Sequence, residues 1–133
     1  MTARGNDAGR GTGMKAVLGL ASTLCLLAGG AHAQADHFAN IELDAVATQA
    51  QCMSQARQAL EILAASGGDD NPDISQGEWS TFGWNIPPLI ADISVICPVF
   101  GGQAHPFATA HTTGDGNEPG DLIEAYAEIF NKF

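Results

Sequence analysis

Ile86-Pro-Pro-Leu-Ile-Ala-Asp-Ile-Ser-Val-Ile-Cys-Pro-Val-Phe-Gly-Gly-Gln-Ala-His-Pro-Phe107 is the densest apolar run outside the first 33 residues. Its reading decides the fold class. Leu89, Ile93 and Ile96 fall on one helical face with Asp92 outside it, and Pro87-Pro88 suits a first helical turn, where a missing N–H costs nothing. The same residues also alternate: Leu89, Ala91, Ile93, Val95, Cys97 and Val99 recur at every second position, and β-branched residues are frequent. A strand needs a neighbour to pair with, and no hairpin partner stands out nearby. The stretch to Phe100 therefore reads as a core helix.

Working outward, Ile41–Ser66 gives the clearest helical pattern. Leu43, Val46, Ala50, Met53, Ala56, Leu60 and Leu63 recur at steps of three and four. Asn40 reads as its N-cap, and Gly67-Gly68 as its left-handed stop. Ser75-Gln-Gly-Glu78 reads as a capping box opening a short helix through Trp79 and Phe82. Gly101–Gly120 reads as a long irregular loop. Asp121-Leu-Ile-Glu124 reads as a second capping box, starting a terminal helix that buries Leu122, Tyr126, Ile129 and Phe133. The expected fold is mostly α: three to four helices, one disulfide and a long loop in the C-terminal half.

Upstream, Met14-Lys15, the apolar run Ala16–Ala28 and Ala31-His-Ala33 form the pattern of a secretory signal peptide. That run is too short for a membrane span, which needs about 20 apolar residues. Residues 1–33 are expected to be an N-terminal extension and signal peptide, cleaved after Ala33 or Ala35. Residues 34–133 are expected to be a single helical domain, periplasmic or secreted, with no membrane insertion after cleavage.

Between residues 34 and 133 only Arg57 and Lys132 oppose fourteen acids, a balance of −12 with histidines neutral. Nucleic acid is excluded as a partner, because phosphate binding needs Lys and Arg to displace counterions. Basic partners and divalent cations stay open. Cys52 and Cys97 are an even pair in an oxidising compartment, so they are expected to form one disulfide.

Chemistry finds few footholds. Trp79, Phe82 and Trp84 form an aromatic cluster that either fills the core or presents a binding surface, and His105 and His111 share the Gly101–Gly120 segment. For a divalent cation the candidates are Asp115, Asn117 and Asp121. Counting from Asp115, Gly120 falls at the sixth position as an EF-hand loop requires, but the twelfth is Tyr126 rather than glutamate. Counting from Asp69, Ile74 is sixth and Glu78 tenth, and that pattern fails. Cys97, His105 and His111 do not make the four-ligand spacing of structural zinc. No nucleophile–base–orienter set can be assembled, so neither catalysis nor a cofactor is expected.

Two cysteines 45 residues apart, the second closing a proline-containing apolar stretch, form a layout that resembles the small periplasmic acid-stress chaperones. The resemblance covers layout alone and implies a chaperone-like role. The chain departs from it in having almost no lysine and in its Gly/His-containing segment. The reading that follows is a small acidic exported protein acting by protein–protein interaction, with a divalent-cation-binding protein as the alternative. Its expected surface is Trp79, Phe82 and Trp84, or His105 and His111.

Overall fold

Alternation, not helical periodicity, governs the apolar stretch. In the computed structural model, which describes residues 35–114 and 118–133, Ala91–Ile96 is the central strand of a five-stranded antiparallel sheet. The elements run β1 (Asp36–Glu42), α1 (Gln49–Ser66), β2 (Asp73–Gln76), β3 (Ser80–Ile86), β4 (Ala91–Ile96), β5 (Val99–Phe100), β6 (Gln103–Ala104), β7 (Phe107–Thr113) and α2 (Gly120–Phe130). The main sheet is ordered β1-β7-β4-β3-β2, and β5 and β6 form a separate hairpin. The expected mostly helical fold is thus overturned: the molecule is mostly β, with two helices among the described residues. The leader read at residues 1–33, and the candidate ligands Asp115 and Asn117, lie outside those residues.

Each misreading has a local cause. Ile86–Phe100 looked like a helix because no partner strand was evident, yet β4 has two. β3 precedes it, pairing Gly83 with Ile93 and Ser80 with Ile96; β7 follows, pairing Ala110 with Ile93. β3 had been read as a capped helix. Instead Ser75 lies in β2, and the Gly77 N–H closes a hairpin onto the Ser80 carbonyl at 2.8 Å. Pro87-Pro88 sits in the turn between β3 and β4, not at a helix start.

β7, Phe-Ala-Thr-Ala-His-Thr-Thr, had been read as loop because its inward residues are small. Ala108, Ala110 and Thr112 are buried all the same, against α1 and α2. The β5–β6 turn uses Gly101 and Gly102 at φ 59° and 86°, where glycine alone pays no steric cost.

The helices begin later than their sequence patterns suggest, or are capped differently. α1 starts at Gln49, not Ile41. Its N-cap is Thr48, whose hydroxyl accepts the Gln51 N–H at 3.1 Å. Residues 41 and 42 belong to β1, which pairs along its full length with β7. Gly67 caps α1 at φ −87°, and the left-handed position falls one residue later, at Gly68 with φ 95°. α2 forms where the pattern put it, but Pro119 is its N-cap and no side chain caps it; Asp121 sits in the first turn. Phe133 is half exposed rather than buried.

Both helices pack on one face of the sheet. Ala56, Ala59, Leu60 and Leu63 of α1, and Leu122, Ile123, Tyr126 and Phe130 of α2, bury against Ile86, Ile93, Val95, Ala108 and Ala110. The alanines permit this close approach. Cys52 and Cys97, both fully buried, are disulfide-bonded with Cα atoms 6.1 Å apart, tying α1 to the end of β4. Gln76 Nε2 donates to the Met53 carbonyl at 3.0 Å, holding β2 to α1. His37 Nδ1 lies 2.9 Å from Glu118, linking β1 to the start of α2. The other face of the sheet carries no helix.

Candidate functional site

Strand geometry dictates what the open face displays. Successive side chains point to opposite sides, so the residues out of phase with the core set stand on the uncovered face. These are Asp36, Phe38, Asn40 and Glu42 from β1; Phe107, Thr109, His111 and Thr113 from β7; Asp92, Ser94 and Ile96 from β4; Ser80, Phe82 and Trp84 from β3; and Asp73 and Ser75 from β2. Register then sets neighbours. Phe38 is opposite His111, which is opposite Asp92; Asn40 is opposite Thr109, Ser94 and then Phe82.

This arrangement makes a trough over β4. One wall is Phe38 stacked on His111, ring centres 4.6 Å apart and planes at 26°. Phe38 and His111 are a non-hydrogen-bonded antiparallel pair, the kind whose side chains come closest. The other wall is Phe82 stacked with Trp84, centres 6.0 Å apart and planes at 15°. β7 and β3 lie two strand spacings apart, about 10 Å, so the trough is about one extended chain wide. Its floor is Ser94, Thr109 and Asp92, and it encloses about 260 Å³.

Polar contacts hold these groups in place. The Thr109 hydroxyl donates to Asn40 Oδ1 at 2.8 Å. His111 Nε2 lies 3.4 Å from Asp36 Oδ1. Trp84 Nε1 donates to Ser75 Oγ at 3.4 Å. Register breaks between Gly83 and Ile86, and Asn85 there takes φ 54° and donates its N–H to Asp92 Oδ1 at 3.1 Å. A bulge of this kind re-aims side chains, and both Trp84 and Asn85 are exposed. The face bears the carboxylates Asp36, Glu42, Asp73 and Asp92. The only described cations, Arg57 and Lys132, lie outside the sheet, Arg57 bonded to Glu61 at 2.9 Å.

Phe82, Trp84 and His111 from the sequence reading are therefore brought together. Trp79 and His105 are not. Trp79 lies in the β2–β3 turn, half exposed, with its carbonyl accepting the Cys97 N–H at 2.9 Å. His105 is exposed beyond β6, its ring 6.2 Å from that of Phe100. Both lie beyond the Ile96 end of β4, away from the His111–Asp92–Trp84 end of the trough. Asp121 stands at the start of α2. Among the described residues no group of three or more His, Cys, Asp or Glu is placed to hold a metal ion.

Sequence reasoning missed Phe38, Asn40, Asp92, Ser94 and Thr109. The signal was present for the first two. Asp36, Phe38, Asn40 and Glu42 alternate with His37, Ala39 and Ile41, a period of two that the following helical pattern masked. Comparison with known proteins adds no relative: no family model, curated protein or solved structure matches the chain.

Proposed function

We propose that this is a small acidic exported protein that acts, without catalysis, by capturing a basic protein partner on the open face of its sheet. The observation that carries the reading is the trough itself: two aromatic pairs face each other across β4, on a face with four carboxylates and no Lys or Arg. Aromatic anchors dominate interface energies, and Trp and Tyr are enriched among them. A single-sign field selects an oppositely charged partner and speeds its approach. Thr109 spends its hydroxyl on Asn40 and His111 faces Asp36, arrangements that fix a surface rather than activate a nucleophile.

The test uses the purified protein as bait against exported proteins of the same cells. Wild type should retain a basic partner in stoichiometric amount. Phe38→Ala and Trp84→Ala should each weaken retention about tenfold or more, as hot-spot truncations do. Trp79→Ala should leave it unchanged. A partner lost equally with Trp79→Ala, or an acidic partner, would contradict the assignment.

A further inference from the structure

The hydrogen-bond phase of β1 says which of its backbone groups are left over. The Leu43 N–H donates to the Pro106 carbonyl at 3.1 Å, and the Gly114 N–H to the Ala35 carbonyl at 2.9 Å. Both contacts continue the β1–β7 register, in which Glu42 is opposite Phe107 and Asp36 opposite Thr113. In an antiparallel ladder, bonded and non-bonded pairs alternate. Residues 35, 37, 39, 41 and 43 therefore turn their N–H and C=O toward β7. Asp36, Phe38, Asn40 and Glu42 turn theirs outward, and among the described residues no backbone hydrogen bond reaches them.

This edge lacks most of the usual protections. β1 is seven residues long and unbroken, with no proline, lysine or bulge; the opposite edge, β2, has four residues and follows Pro72. An unpaired edge of that length is a template for another strand. Its side chains indicate which strand fits. Asp36 and Glu42 bracket the edge, with exposed Phe38 between them. In the fullest antiparallel overlap of two copies, Asp36 of each would face Glu42 of the other, and like charges directly opposite are destabilising. The same two carboxylates favour a partner strand carrying cations six residues apart.

We infer that β1 accepts an extended basic segment of the partner as a sixth strand, with Lys or Arg side chains opposite Asp36 and Glu42 and an apolar side chain against Phe38. The inference rests on the reading of the open face as a binding surface, and adds the docking mode and the partner's chemistry. Main-chain bonds to the outward groups would supply affinity, and the alternate side chains would supply selectivity.

The probe is a nine-residue synthetic peptide with arginines six positions apart and a central leucine, compared with its glutamate counterpart. Binding is followed by NMR on the purified protein. Binding of the arginine peptide should slow amide exchange at positions 36, 38, 40 and 42, and the glutamate peptide should not bind. Asn40→Pro deletes one outward N–H that the β1–β7 ladder does not use, and should weaken the peptide about tenfold. Asn40→Ala loses only the side-chain bond to Thr109 and should stay within about threefold of wild type. Thermal unfolding of both variants shows whether the sheet is intact. Asn40→Gly, which keeps the N–H, gives a second comparison if the proline variant unfolds. Equal binding of the glutamate peptide overturns the inference. So does a dimer in sedimentation that Asn40→Pro dissociates, since the occupant is then a second copy. Peptide binding abolished by Trp84→Ala but unaffected by Asn40→Pro also overturns it, while leaving the open-face reading standing.

Discussion

Tyr126 is the only tyrosine in the chain, and it sits at the contact between the two helices. Its hydroxyl donates to the Ala56 carbonyl at 3.3 Å, in the α1 turn that follows Cys52. Burial pushes the phenol well above its ordinary value near 10, because the phenolate would lose its hydration. The unfolded chain ionises at that ordinary value while the folded chain cannot. The associated stability is therefore complete below about pH 10 and is lost as pH rises through it. Tyr126→Phe should cost about 1 kcal/mol at neutral pH, one hydrogen bond, yet flatten the alkaline limb of the stability profile. Urea midpoints measured from about pH 7 to 11 read both effects; an unchanged alkaline limb in the variant would count against this account. The residue's burial was legible from its helical spacing with Leu122 and Ile129. Its partner was not, because Ala56 lies 70 residues away.

At the scale of elements, the disulfide is the expectation that met its structure most directly. Cys52 lies on the buried side of α1 and Cys97 one residue past β4, so the bond pins a helix to the strand it covers. Closing a loop of 45 residues restrains the unfolded chain by roughly 4 kcal/mol in the chain-entropy model. A Cys52→Ala/Cys97→Ala variant should lose about that much in denaturant unfolding, and a loss below about 1 kcal/mol would mean the core holds α1 unaided. The pairing was readable because parity and compartment constrain cysteines without reference to fold. The elements it joins were harder. α1 and α2 carry their own periodicity, whereas β1, β3 and β7 need partners distant in sequence. β7 spends its inward positions on Ala108, Ala110 and Thr112, which advertise nothing by hydropathy.

For the molecule as a whole, the unequal charge sets behaviour that no single pair explains. Fourteen acids against two bases between residues 34 and 133 repel one another in the compact state. Salt screens that repulsion over a Debye length of about 10 Å at 0.1 M and less above it. Melting temperature should therefore climb with sodium chloride, by about 4 °C for each kcal/mol of repulsion relieved in a domain this size. A flat or falling dependence in calorimetry would show that the carboxylates are already compensated. Binding of a basic partner should run the other way and weaken with salt.

Composition alone decided the acidity, the choice of cationic over phosphate-bearing partners, and the cysteine pair. Local periodicity decided the two helices and the aromatic and histidine candidates. Only tertiary structure decided that the apolar stretch is a strand, because β4 gains its stability from β3 and β7 on either side and from helices it meets only after folding. The same closure of β1 onto β7, across more than 60 residues, placed Phe38 against His111 and faced that pair toward Phe82 and Trp84. A sheet face is assembled from alternate residues of separate strands. Its members share no stretch of sequence and become neighbours only when register is set.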